Sequence, residues 1–184
     1  MKGLARLRMV NVVLSVAMLA LFAVHGIGNG LQLMGPGLVQ AKVIALVLVT
    51  VTLVHTVIGV VLTVVTLRSQ REAGVSYFRE NKRFWAVRIS GLAIVVFILL
   101  HMVIFWQSGT GMPRLTPFEG FQLVVSILFV ASIAVHVRAN MQPLMISLGI
   151  ASPRGRAVDA AVVLAIILVF TAVAFVDYYL RWLA

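Results

Sequence analysis

This sequence predicts an all-α polytopic membrane protein with five transmembrane helices, and three observations predict it. Of its 184 residues, 62% are hydrophobic and only 11% charged, about half the charge fraction of an ordinary soluble domain. Several uncharged stretches exceed the roughly 20 residues a helix needs to cross the hydrocarbon core. The charged residues fall between those stretches rather than inside them. A closed β-barrel is excluded, because the apolar runs lack the alternation its strands require.

The spans follow in order. Lys2, Arg6 and Arg8 precede an apolar run from Met9 to Val24, the layout of a signal peptide. No small-x-small cleavage site and no soluble domain follow, so the segment reads as a retained first helix, roughly Met9 to Met34. The "GPG" at Gly35–Gly37 predicts a turn. The second span runs from Val43 to Leu67, between Lys42 and Arg68, and the polar segment "RSQREAGVSYFRENKR" ends it. The third runs from Phe84 to Trp106, and "QSGTGMPRLTP" is the loop after it. The fourth runs from about Phe118 to Ala139 or slightly beyond, and "ASPRGR" separates it from the fifth, roughly Val158 to Val176. Tyr178, Tyr179 and Trp182 then stand where an interfacial aromatic belt belongs. No repeat, low-complexity tract or second domain interrupts this, so residues 1–184 read as one membrane domain.

Orientation follows from charge. The N-terminus, the 68–88 region and the 138–156 region hold Lys2, Arg6, Arg8, Arg68, Arg71, Arg79, Lys82, Arg83, Arg88, Arg138, Arg154 and Arg156. That is 12 of the 15 lysines and arginines; only Lys42, Arg114 and Arg181 fall on the other side. The positive-inside rule therefore predicts a multi-pass protein of the cell membrane, N-terminus cytoplasmic and C-terminus outside. The net charge of +10 is explained the same way. Nucleic acid is not an expected partner, because no soluble basic domain exists to bind it. The absence of cysteine removes disulfides, thiolate-held clusters and covalent CxxCH haem attachment.

The most informative stretch is "FILLHMVIFW", residues 97–106, in which His101 is the one polar residue. A polar side chain in hydrocarbon is costly and usually has a partner or a task. His101 is not alone: His25, His55, His101 and His136 fall one each on the first four spans, and the fifth has none. His25 lies 17 residues after Arg8 and His101 lies 18 after Arg83, about 25 and 27 Å along their helices. Both are far from the cytoplasmic side. His136 lies two residues before Arg138, near that side. His55 lies 13 residues before Arg68, about 20 Å up, nearer mid-membrane than His136; tilt, and a fourth helix continuing toward Met141, would close part of the gap, so the natural grouping is His55 with His136. Two imidazoles from two helices supply the axial ligands of a six-coordinate haem iron, and a four-helix bundle core is a place to build such a site. Two pairs at two depths predict two non-covalent b-type haems that carry electrons across the membrane.

A non-haem metal site would want its ligands at one depth, usually with carboxylates. The five acids, Glu72, Glu80, Glu119, Asp159 and Asp177, all lie in loops or at span ends. Arg88 and Arg138 are the candidate partners of haem propionates, unless they only mark topology. Gly26, Gly28, Gly30 and Gly59, close to His25 and His55, would let backbone approach a macrocycle or serve plain helix packing.

One histidine on each of the first four of five helices, with the fifth bare, resembles the five-helix di-haem cytochrome b anchor of succinate:quinone oxidoreductases, the succinate dehydrogenase and fumarate reductase family. The resemblance spans essentially the whole chain and is architectural, without a contiguous motif. It implies that His25 and His101 hold a distal haem and His55 and His136 a proximal one. It also implies two soluble partners on the cytoplasmic side, an FAD flavoprotein and an iron–sulfur subunit. This chain would then be their non-catalytic electron-transfer and quinone-binding subunit, in a complex that can assemble further in the lipid bilayer. The substrate would be a quinone, with menaquinone the expected type.

Quinone chemistry needs protons, a haem edge and water. The outer segments Asn29–Gln40 and Trp106–Glu119 meet those needs beside the distal pair. Glu119 is the only carboxylate there, and either exchanges a proton with the quinone or only caps the fourth helix. Asn29, Gln32, Gln40 and Gln122 are candidates to bond the quinone oxygens, and Trp106 to pack on the ring. A cytoplasmic-side pocket near Trp85 and Arg88 is the alternative location. Two other functions compete: a di-haem cytochrome b of a formate- or hydrogen-oxidising dehydrogenase, and a small transporter relaying protons through its histidines. The first usually places two histidines on one helix, and the second usually adds intramembrane acids; this chain has neither.

Overall fold

The computed structural model describes residues 2–35, 42–74, 82–106 and 117–183, with only the backbone described for Lys42 and Trp106. Five helices make up these residues: α1 (Lys2–Met34), α2 (Lys42–Glu72), α3 (Lys82–Trp106), α4 (Gly120–Ser147) and α5 (Pro153–Leu183). All five are long and apolar enough to cross a membrane. Their outward faces carry side chains such as Val43, Val57, Leu92, Val103, Phe121 and Ile166, all strongly exposed. Water would not tolerate so continuous an apolar surface, whereas lipid requires it.

Several helices outrun the apolar segments that mark them. The α2 helix continues past Leu67 to Glu72, and α4 continues past Ala139 to Ser147. Hydropathy ends where the hydrocarbon ends, but a helix stops only where its last carbonyls find other partners. For α4 those partners come from a Schellman turn. Gly149 takes φ +68°, its N–H reaches the Ile146 carbonyl, and the Ile150 N–H reaches that of Met145. Pro153 then opens α5, at the position where its missing N–H costs nothing.

Pro143 lies inside α4 and cannot donate to the carbonyl four residues back, that of Ala139. The structure supplies a substitute: Arg83 Nε donates to Ala139 O at 2.7 Å. A topology-marking arginine at the start of α3 thereby ties that helix to α4 one turn before Pro143.

Two buried clusters hold the helices together, one toward each end. At the end where α1, α3 and α5 begin, Met141, Ala157 and Leu164 pack with Leu19 and Phe22. At the far end Phe118, Phe175 and Tyr178 pack with Leu33, Ile104 and Phe105. The rings of Phe118 and Phe175 stack at 6.2 Å, and Phe118 is fully buried. The α5 helix lies parallel to α1, antiparallel to α4, and joins both clusters. Gly26 and Gly30, one turn apart, permit this: a Cβ on Gly26 would meet Thr171 Oγ1 at 3.3 Å, and one on Gly30 would meet Phe170 Cε1 at 2.5 Å. These two glycines therefore let α5 approach, as small residues do between membrane helices. A Cβ on Gly28 would meet nothing, so that glycine serves no close contact.

The remaining seam is loose. The α2 helix packs along α1, and α3 along α4, but the α1–α2 pair hardly touches the α3–α4 pair. The gap between the two pairs is where the functional site lies.

Candidate functional site

A cavity of about 910 Å³ fills that gap, near the top of the range for ligand pockets. It extends from Asn140 and Arg88, toward the end where α1 begins, to Leu33 and Tyr178 at the other. All four histidines line it. Its wall is otherwise mostly apolar, and no carboxylate lines it among the described residues.

His25 and His101 face each other near the far end, with ring centroids 6.3 Å apart and planes at 69°. Two imidazoles this close would be able to hold one metal ion between them. An edge-to-face aromatic contact has similar spacing. The chemistry of the surroundings separates the two. His101 is packed among Phe105, Phe129 and Phe175, with centroids at 4.8, 5.6 and 6.3 Å. Its Nδ1 is buried without a hydrogen-bond partner. An unmet polar atom in such a place costs about 1–3 kcal/mol, which a ligand in the cavity would remove. His25 differs, because the carboxamide of Asn29, one turn on, lies 2.9 Å from its Nδ1.

The second pair lies nearer the end where α1 begins. His136 turns its ring onto α3, where Nδ1 is 3.2 Å from the Val87 carbonyl and 3.1 Å from Ser90 Oγ. Gly91 makes that approach possible: a Cβ there would meet His136 Cε1 at 3.2 Å. An imidazole that donates one N–H to a backbone carbonyl has its tautomer fixed and presents the other nitrogen as a ligand. His55 is close enough to His136 to interact with it electrostatically. Its ring also lies against the backbone of Asn11, and its Nδ1 is buried and unpartnered. Gly59, one turn along α2, lines the cavity, and a Cβ there would meet nothing within 4 Å.

These features fit a pair of macrocycles held by imidazoles. There is one facing histidine pair and a second pair within electrostatic reach, with two buried unpartnered Nδ1 atoms, a mostly apolar slot, and no third His, Cys, Asp or Glu beside either pair among the described residues. The last point suits axial ligation and does not suit a tetrahedral zinc site.

The two arginines part company. Arg88 lines the cavity, its Nε donating to Thr63 Oγ1 at 2.8 Å and its guanidinium 4.3 Å above the Phe84 ring. Arg138 is exposed and outside the cavity wall, because its position on α4 turns it away from the seam. The outer polar residues also divide. Asn29 and Gln32 line the cavity; Glu119 and Gln122 do not. Glu119 is exposed at the N-cap of α4 in a reciprocal capping box, with its own N–H 3.1 Å from Gln122 Oε1. Gln40 and the side chain of Trp106 lie outside the described residues.

Comparison of the chain with protein-family models, with curated proteins and with solved structures finds no match. What the site can do has to follow from its own residues.

Sequence reasoning missed the supports of the histidines. Val87 O, Ser90, Gly91 and Thr63 carry no signal of their own in an apolar helix. Asn29 and Asn140 carried one: each lies four residues after a histidine, on the same helix face. Their roles differ, since Asn140 Nδ2 donates to the His136 backbone carbonyl at 2.8 Å while Asn29 contacts the His25 ring.

Proposed function

We propose that this chain is a di-haem cytochrome b membrane subunit. It anchors a soluble flavin and iron–sulfur dicarboxylate dehydrogenase and passes electrons between that enzyme and membrane quinone. The observation that carries the haem reading is the facing pair His25 and His101, with ring centroids 6.3 Å apart inside an apolar cavity. The succinate or fumarate partner rests on the pattern of one histidine on each of the first four of five helices.

Bound there, two b-type haems would supply one-electron carriers at two depths. The chain's own residues do the rest. His25 and His101 hold the distal group, and His55 and His136 the proximal one. Arg88 offers a fixed cation to a propionate. Phe105, Phe129 and Phe175 keep water from the distal pair. The basic ends of the helices, with Arg68, Arg71, Lys82 and Arg83, face the soluble partners on the cytoplasmic side, which puts the N-terminus inside and the C-terminus outside. Gln32, at the outer end of the cavity, is placed to hydrogen-bond a quinone oxygen. Glu119, at the exposed cap and outside the cavity wall, would exchange a proton with the quinone head group.

Two measurements test this. A pyridine haemochrome assay on the pure protein should give about two haems b per chain; a value near zero sinks the proposal. The protein isolated from its native membrane should bring a flavoprotein and an iron–sulfur subunit with it. A formate- or hydrogen-oxidising partner in their place would reassign the complex while leaving the haem site.

Glu119→Gln separates the proton role from the cap. The variant should keep both haems and the soluble dehydrogenase activity. Quinone turnover should slow at least tenfold, a loss of about 1.4 kcal/mol of transition-state stabilisation. Unchanged turnover would leave Glu119 as a helix cap only.

A further inference from the structure

The walls of the cavity differ in thickness. On the α4 and α5 side its lining includes Met141, Leu144, Phe175 and Tyr178, which are only 2%, 8%, 4% and 5% exposed. Every exposed residue of the described lining lies on α2 or α3: Leu46 at 49%, Val60 at 57%, Val64 at 42% and Leu92 at 67%. On that side single apolar side chains stand between the cavity and the lipid.

The packing of the helices gives the reason. The α5 helix packs on both α1 and α4 and covers that side of the bundle, whereas α2 and α3 barely touch and no described helix covers them. A crevice of about 50 Å³ marks the α2–α3 seam, lined by Val49, Thr52, Leu53, Val95, Ile98 and Leu99. Val49, Thr52 and Ile98 also line the main cavity. The Thr52 hydroxyl is satisfied within its own helix, donating to Leu48 O at 2.7 Å, so the seam presents an apolar face.

The histidines divide along the same seam. His25 and His55 belong to the α1–α2 pair, His101 and His136 to the α3–α4 pair. The supports of His136, Val87 O and Ser90 Oγ, lie within its own pair of helices, and so does the Asn29 carboxamide beside His25. Parting α2 from α3 would leave these contacts in place. One described hydrogen bond does cross the seam, from Arg88 Nε to Thr63 Oγ1. It lies toward the end where α1 begins, more than two helical turns along α2 from Leu53.

We propose that the α2–α3 seam is the lateral entrance of the cavity: the haem macrocycles pass through it between the bilayer and their histidines, while α5 forms the closed back that holds α1 to α4. The inference rests on the haem reading given above. A macrocycle is wider than the crevice, so passage needs the two helix pairs to part, a minor open state of the bundle.

The chain has no cysteine, so a pair introduced at the seam is the only reactive pair. The test uses the complete protein in lipid nanodiscs carrying Leu53→Cys with Leu99→Cys, and separately Val49→Cys with Val95→Cys. Each is joined by a short bis-maleimide, joined by a long one, or capped singly with N-ethylmaleimide. Haem-free protein is offered ferric haem in lipid vesicles, and uptake is followed by absorbance. Haem-loaded protein is offered a haem scavenger, and release is followed in the same way.

The short tie should slow both uptake and release at least about tenfold relative to the capped protein, because it removes the open state from the ensemble. The long tie should restore both rates. Uptake through the short tie at the capped rate, in either pair, overturns the proposal. So does a long tie that slows uptake as much as the short one, because the effect would then come from modification and not from closure. Unmodified protein that takes up no haem overturns the haem reading itself, and this inference with it. Normal uptake that is indifferent to the tie overturns this inference alone.

Discussion

Replacing His101 with alanine should abolish one haem component and leave the other spectroscopically intact. His101 stands 6.3 Å from His25, centroid to centroid, and is enclosed by three phenylalanines. No described carboxylate or other histidine stands ready to replace it on that side of the cavity. The loss should therefore be close to one full haem equivalent rather than a shift in potential. His25→Ala should remove the same component, and the double variant should lose nothing more than either single one. Such non-additivity is what two ligands of one group produce. His136→Ala and His55→Ala should remove the other component. Redox titrations of the four variants, followed by difference spectroscopy, read all of this directly. Loss of one component by both His25→Ala and His55→Ala would break the pairing, and full retention of both haems in His101→Ala would end the axial-ligand assignment.

Arg88→Leu should weaken retention of the proximal haem by about tenfold to a hundredfold, given that a hydrogen bond to a charged group contributes about 1.5–3 kcal/mol. Arg88 belongs to the cavity wall at the His55–His136 end. Its direction is set by the bond from Nε to Thr63 Oγ1 and by the Phe84 ring beneath it. A positive charge held there also favours the reduced, less positive iron, so the proximal potential should fall when it is removed. Arg88→Lys should recover part of the potential, because the charge remains, and less of the retention, because the planar fork is lost. Arg138→Leu should change neither, since Arg138 is exposed and outside the cavity. A proximal component indifferent to Arg88→Leu would assign that arginine to topology and helix packing alone.

Much of this architecture can be read from the order of residues. Long apolar runs bounded by charge have one stable form in lipid, because every backbone N–H and C=O must be satisfied within the segment. The number of helices and their approximate place follow from that rule alone. Their true ends do not, since α2 and α4 continue on local hydrogen bonds after the apolar residues stop. The histidines were legible for the same reason as the helices: an imidazole among residues such as "FILL" and "MVIFW" stands out against hydrocarbon.

Function at the level of individual side chains was legible only in part. Depth along a helix grows by a constant rise per residue, so counting residues groups His25 with His101, and these two do face each other. Direction around a helix is harder to count in a membrane chain, where lipid-facing and core-facing residues are both apolar and the amphipathic signal fades. For that reason Arg88 and Arg138 look equivalent as sequence, yet one lines the cavity and the other is exposed. For the same reason Gly26 and Gly30 look equally like relief for a macrocycle and like plain helix packing, and their missing Cβ atoms admit Thr171 and Phe170 of α5. Asn29 and Asn140 share one spacing behind their histidines, yet one meets a ring and the other a carbonyl. The sequence by itself determined five helices long and apolar enough to span a membrane, with one histidine on each of the first four, because burial cost and helix rise act along the chain. Only the tertiary structure decided which faces look into the slot between the two helix pairs, because that depends on how each helix is rotated against its neighbours.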